Sequence, residues 1–190
     1  MDVTNRYTNI NHAAFATSDM DLTIHYWRDL LGMRVVATLG KKGNRQYFFR
    51  IADNGFITFF EWSDVKAAAR KHHGEPVKGP FIFDHISIGV GEQKSLFQMQ
   101  DELEAAGFPV SDVIDHGFIH SIYTFDPNGI PLEFSWMTGV ENISEKPKLM
   151  DPDPVDALAN GTHPVKGCWP PVTNPTDPSQ KIIVPGQGAV

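Results

Sequence analysis

Several things that would direct a reading are scarce in this chain of 190 residues. A single cysteine, Cys168, rules out an internal disulfide and a cysteine-based zinc site, so any bound metal must be held through nitrogen and oxygen. Basic charge is short: 16 Lys and Arg stand against 23 Asp and Glu, a formal net charge of −7 with a pI near 5.5. No basic run exceeds Lys41-Lys42, which leaves little to attract a phosphate backbone or an anionic membrane. Long apolar runs are missing as well; residues 56–60 fall far short of the ~20 needed to span a bilayer. Met1-Asp-Val-Thr-Asn-Arg-Tyr7 has no signal-peptide character, so the expectation is a cytoplasmic chain without nucleic-acid or membrane partners. There is no nucleophile elbow, phosphate-binding glycine loop or dinucleotide fingerprint. What remains, 41% hydrophobic and 21% charged, is ordinary globular composition.

Proline is unevenly spread. Only five of the 14 fall within residues 1–136, and the rest crowd into 137–190. Because proline has no N–H to donate, the tail cannot sustain a helix or a central strand and reads as an extended arm. Within 1–136 the chain repeats. Asn11-His-Ala-Ala-Phe-Ala-Thr17 matches Asp84-His-Ile-Ser-Ile-Gly-Val90, Leu30-Leu-Gly-Met33 matches Ala105-Ala-Gly-Phe108, and Asn54-Gly-Phe-Ile-Thr-Phe-Phe-Glu-Trp62 matches Asn128-Gly-Ile-Pro-Leu-Glu-Phe-Ser-Trp136. The offsets are 73, 75 and 74, so two copies of one unit of roughly 60 residues follow each other.

Each unit reads strand, helix, then strands. In the first, a strand over 10–17 precedes the capping-box-like Ser18-x-x-Asp21, a helical face of Leu22, Tyr26 and Leu30, and Gly32 as the stop. Strands follow at 33–39, 47–52 and 56–62, separated by Gly43-Asn44 and Asp53-Asn-Gly55 turns. The second unit gives a strand at 83–90, a helix at 93–106 stopped by Gly107, and strands near 109–114, 121–125 and 130–136. The fold class is α+β, paired βαβββ units in a curved-sheet cup. Residues 1–80 hold the first unit and linker, 81–136 the second, and 137–190 the arm. Ala67-Ala-Ala69 gives the linker a short helix signal.

Ionisable residues inside apolar strands need an explanation. His12 and His85 occupy the same position of the first strand in each unit, and Glu133 lies on a last strand. Two histidines and one carboxylate make a facial triad that leaves one side of a metal open. His25, His72, His73 and His163 have no ligand spacing or repeat partner and read as surface or satisfied residues.

Asn11-His12, Tyr26-Trp-Arg-Asp-Leu-Leu-Gly32, Phe83-Asp-His-Ile86 and Asp126-Pro-Asn-Gly129 with Glu133 resemble the vicinal oxygen chelate superfamily, which includes glyoxalase I, methylmalonyl-CoA epimerase, extradiol dioxygenases and bleomycin-resistance proteins. The resemblance covers about residues 8–136 and implies a metal cup, a small-molecule substrate and a homodimer, formed within or between chains. Its extradiol branch is suggested by His116, Tyr123 and Glu133 in that order. This implies an Fe(II) enzyme opening a catechol-like ring, with His116, or His120 in its place, moving protons and Tyr123 bonding a substrate oxygen. A glyoxalase-like lyase or isomerase would instead use Ni(II), Zn(II) or Mn(II) and a fourth ligand, for which Glu61 is the candidate. The ungapped repeat sets Glu133 against Phe59 and leaves Glu61 two residues further along the same face, ~6.6 Å away. A third reading is a ligand-sequestering protein of the bleomycin-resistance kind, with the cup used only for binding.

Overall fold

A computed structural model describes residues 10–53, 55–76, 83–140, 146, 147, 149, 150, 152, 162, 163, 167 and 170–185. Cys168 lies outside the described residues. Residues 1–138 and 139–190 form two units.

The first unit holds two four-stranded sheets of one design. β1 (His12–Thr17) leads into α1 (Met20–Ile24) and a π-helical turn (His25–Leu30), followed by β2 (Arg34–Lys41), β3 (Asn44–Ala52) and β4 (Gly55–Glu61). β5 (Ile86–Gly89), α2 (Gln93–Ala105), β6 (Ile114–Asp115), β7 (Ile119–Phe125) and β8 (Pro131–Met137) repeat the order. The sheets run β1-β4-β3-β2 and β5-β8-β7-β6, with the first and last strands of each repeat parallel. This is the glyoxalase/dioxygenase-like α+β fold of open curved sheets.

Alternation along the strands gives each sheet a helix-facing side and a cup-facing side. Phe49, Ile57 and Phe59 are fully buried, with the Trp27 ring centroid 5.5 Å from Phe59 and 6.5 Å from Phe49. In the second sheet Ile88, Ile122, Leu132 and Phe134 belong to the same buried cluster as Leu96 and Leu103 of α2. Burying side chains of this size contributes about 1.5–3 kcal/mol each. The helix region of the first repeat also reaches the second, with Tyr26 edge-on to Phe108 at 4.7 Å and Trp27 Nε1 donating to Asp126 Oδ2 at 3.3 Å.

Several local expectations give way to the structure. Asp19, not Ser18, caps α1, its carboxylate accepting from Leu22 N–H at 2.9 Å. The helix continues as a π turn closed by Leu31 N–H on Tyr26 O at 3.0 Å, and its inward face is not the expected Leu22, Tyr26 and Leu30. Met20, Thr23, Tyr26 and Trp27 point inward, and Leu22 is 47% exposed. Ala67 to Ala69 form no helix; Ala68 N–H instead donates to Asn128 O at 2.9 Å. That approach requires a glycine next door, because a Cβ on Gly129 (φ +78°) would sit 2.4 Å from Ala68 O. The strand expected near 109–114 shrinks to a bridge at Val110 and the two residues of β6.

In the second unit, residues 170–185 are exposed, and their one turn is Pro178–Gln180, where the Asp177 side chain accepts from Ser179 N–H. Among the described residues no helix is long and apolar enough to cross a membrane.

Candidate active site

Register decides which side chains share the cup. His12 pairs with Phe56, and Ile86 pairs with Leu132, so His85 occupies in its sheet the place His12 occupies in the first. Ser87, Glu133 and Tyr123 lie side by side on the cup face of the second sheet, through the pairs Ser87↔Glu133 and Tyr123↔Glu133.

Glu133 is 4% exposed and forms the centre of a continuous set of polar contacts. His85 Nε2 lies 3.0 Å from its Oε2, Ser121 Oγ donates to Oε1 at 2.5 Å, and Tyr123 OH donates to Oε1 at 3.2 Å. Burial opposes ionisation of Glu133, but hydrogen bonds from Ser121 and Ser87, then His85 and Tyr123, outweigh it and hold the carboxyl below its ordinary value. Behind His85, Nδ1 meets Asp84 Oδ1 at 2.7 Å. Asp84 in turn accepts from Lys71 Nζ at 2.5 Å and from Gly74 N–H at 3.1 Å, and these donors keep it far below the usual carboxylate range. On the other side, His116 Nε2 is 3.0 Å from Tyr123 OH. Burial and the Glu133 charge push the Tyr123 phenol up to about 12.

A cavity of about 380 Å³ opens beside this set, lined by His85 and Tyr123, by Lys71 and His73 of the linker, and by apolar groups such as Phe125 and Leu132. His73 stacks on Tyr123 with centroids 3.6 Å apart and planes 7° from parallel. Burial, then His85 and His116, lowers the His73 pKa. His73, read from the sequence as a surface or satisfied residue, is half-buried against Tyr123, and His72 also lines the cavity. Asp84 escaped notice too, although the parallel Asn11-His12 and Asp84-His85 pairs carried the signal.

The expected site residues are gathered unequally. His85, Glu133, Tyr123 and His116 come together; His12 does not join them. Its Nδ1 bonds Asn11 Oδ1 at 2.8 Å and its ring lies edge-on to Phe48 at 6.0 Å. Among the described residues no three His, Cys, Asp or Glu side chains gather closely enough to hold a metal ion together. His85 and Glu133 fit a divalent ion in donor chemistry: an imidazole Nε2 faces an oxygen of a buried carboxylate, and a second carboxylate orients the imidazole from behind, as in metal-ligating histidines.

The other candidates lie elsewhere. His120 faces the helix side, its Nδ1 2.9 Å from Gln93 of α2 and its ring against Trp136. Glu61 pairs with Thr17, five residues along β1 from His12, and so points to the face opposite that histidine. Its carboxylate is held by Arg45 Nη1 and Gly43 N–H, both at 2.9 Å. The residue in the register position of Glu133 is Thr58, one place away from the ungapped match.

A cup of two βαβββ repeats with a buried carboxylate and a histidine on its inner face defines a protein of the glyoxalase/dioxygenase fold. The chain belongs to the Glyoxalase/Bleomycin resistance protein/Dioxygenase superfamily, whose model matches residues 9–134. Similar solved structures include a glyoxalase/bleomycin resistance protein/dioxygenase domain from Frankia sp. EAN1pec, at 15% identity and TM-score 0.57, covering 69% of this chain and 98% of that one. Lactoylglutathione lyase from Agrobacterium tumefaciens matches at 21% identity and TM-score 0.51, covering 68% of this chain and 94% of that one. The fosfomycin resistance protein FosX from Listeria monocytogenes, complexed with Mn(II) and sulfate, matches at 15% and 0.54, covering 74% and 98%. At these identities the likeness is one of fold. No curated protein matches the sequence.

Proposed function

We propose that the protein is a metal-dependent enzyme that opens the ring of a small catechol-like substrate with dioxygen, using Fe(II) held by His85 and Glu133, and that it works as a homodimer in which a second copy of the chain brings His12 to the ion as the third ligand. The observation that carries this reading is the unbroken run of contacts from Asp84 through His85, Glu133 and Tyr123 to His116 beside the cavity. When bound, the ion supplies a Lewis-acidic, redox-active centre that brings the diol and dioxygen together. The chain supplies the proton handling. His116 Nε2, 3.0 Å from the Tyr123 hydroxyl, accepts a proton from the diol and returns it to the ring-opened product. Tyr123, its phenol held up to about 12, stays protonated at neutral pH and turns its single O–H from Glu133 Oε1 to a substrate oxygen when the substrate binds. Phe125 and Leu132 keep the cavity apolar and exclude water. The balance closes without an added reductant: the carbon–carbon bond beside the diol breaks, and both oxygen atoms of dioxygen enter the product.

The lyase reading with Glu61 as fourth ligand requires that carboxylate to leave Arg45 and Gly43 and cross to the other face of β4. The deciding experiment is metal content on anaerobically purified protein, followed by oxygen uptake with a panel of catechols. Fe(II) bound one to one, oxygen consumption and a ring-cleavage chromophore are expected. Stoichiometric Ni(II) or Zn(II) without oxygen uptake would replace the dioxygenase with a lyase or isomerase, and failure to retain any divalent metal would leave a ligand-sequestering protein.

A further inference from the structure

By sequence, residues 63–80 are a connector. Three of its residues, Lys71, His73 and Gly74, nevertheless reach the side chains at the heart of the site. Lys71 Nζ donates to Asp84 Oδ2 at 2.5 Å with only 13% of its side chain exposed, and Gly74 N–H donates to Asp84 Oδ1 at 3.1 Å. Asp84 Oδ1 is the atom that meets His85 Nδ1 at 2.7 Å. Between these two anchors His73 lays its ring flat on Tyr123, and His72 lines the same cavity.

A surface connector has no physical reason to spend a lysine, a backbone N–H and a stacked ring on two residues of one cavity. We infer that the turn 71–74 is a positioning element of the site, fixing the Asp84 carboxylate behind His85 and the ring plane of Tyr123; the inference rests on the reading of His85 as a metal ligand for its first half alone. Asp84 can aim His85 Nε2 at Glu133 only while its own two oxygens are fixed, and Lys71 Nζ and Gly74 N–H fix them. Tyr123 OH must meet Glu133 Oε1 and His116 Nε2 at once, at 3.2 and 3.0 Å, which a side chain free to swing about its Cα–Cβ bond would not maintain. The His73 face removes that freedom. Lys71 and His73 also line the cavity, and the contacts they make with Asp84 and Tyr123 are the route by which they position His85 and the phenol.

Two readouts on the full chain test the two halves. In the first, Co(II) alone is titrated and followed by visible absorption. Asp84→Asn and Lys71→Met should weaken Co(II) binding about 10–100-fold, the range for removing a group that orients a ligand, and Lys71→Arg should recover most of the loss by keeping the ion pair. His85→Ala is the reference. If His85→Ala loses Co(II) while Lys71→Met and Asp84→Asn bind like the parent, the positioning role is overturned and the metal reading stands. In the second, the Tyr123 ring signals are followed by NMR in metal-free protein, assigned through Tyr123→Phe. His73→Ala should remove the ring-current shift of Tyr123, and His73→Phe, which keeps a flat ring, should retain it. If His85→Ala leaves Co(II) affinity unchanged, the metal reading falls and the Tyr123 signals decide the inference alone. Signals identical in His73→Ala and the parent would overturn it.

Discussion

The two repeats have the same strand order and place a histidine at the same point of the sheet, yet their cup faces are chemically different. The first presents His12 among Phe48 and Phe56, and the second presents His85 among Ser87, Ser121, Tyr123 and Glu133. The residue behind each histidine differs in the same sense: Asn11 is a neutral amide at 2.8 Å, and Asp84 a carboxylate at 2.7 Å. Where the second repeat has Glu133, the first has Thr58, whose hydroxyl is turned to Tyr47 O at 2.9 Å and serves only the sheet. A duplicated backbone thus fixes where a side chain sits, and single replacements at matched positions determine whether the place carries chemistry.

The same contrast appears in the turns that close each sheet, and it gives the largest expected effect. Asp126 is fully buried. Its Oδ1 accepts from Asn128 N–H at 2.8 Å and Ile130 N–H at 2.9 Å, and its Oδ2 from Asn128 Nδ2 at 2.9 Å and Trp27 Nε1 at 3.3 Å. The acidic residue of the matching turn, Asp53, has 89% of its side chain exposed and pairs with Arg50. Asp126→Ala strands several buried donors at once and should cost about 3–5 kcal/mol in urea unfolding, whereas Asp53→Ala should stay within about 0.5 kcal/mol. Equal losses at the two sites would mean that the turns are equivalent after all.

That turn also explains where sequence reading slipped. The repeat, the strand and helix order and the two matched histidines were legible, because alternation, glycine stops and recurring landmarks are local signals. The register of Glu133 was not. Aligning Asn54-Gly55 on Asn128-Gly129 assumes that both glycines begin a strand. Gly55 does, pairing with Ala52, but Gly129 stays in the turn at φ +78° and Ile130 N–H is still bound to Asp126, so the pairing register of β8 runs one residue late. One residue exchanges the faces of a strand, which is why Glu61 looked like a neighbour of the site and lies on the far side. The π turn at 25–30, and the linker contacts of Lys71 and His73, had no periodic or repeat signal to betray them.

Metal affinity sharpens the comparison next. Glu133→Gln should lower Co(II) affinity by more than about 100-fold, since it removes a buried anionic donor. Thr58→Ala at the matched position and Glu61→Gln on the opposite face should leave it within a few fold. A loss in Glu61→Gln comparable with that in Glu133→Gln would show that the carboxylate does reach the ion and would restore the four-ligand lyase.

The smallest effect separates the two residues behind the histidines by pH. Asp84 is held far below the ordinary carboxylate range, first by Lys71, then by His85 and the Gly74 N–H. A carboxyl whose pKa is depressed in the folded state contributes stability that is fully present above its unfolded value of about 3.9 and is lost as pH falls through that value toward the folded one. Asn11 has no proton to exchange and contributes the same at every pH. Asp84→Asn should therefore lower Tm at neutral pH and converge on the parent as the pH is taken below about 4, while the Tm difference caused by Asn11→Ala stays flat. With 38% of the Asp84 side chain in solvent the effect should be modest and should shrink further in high salt. A Tm difference for Asp84→Asn that does not change with pH would mean that Lys71 and Asp84 are held together by packing and not by charge, and the electrostatic distinction between the two repeats would then reduce to shape.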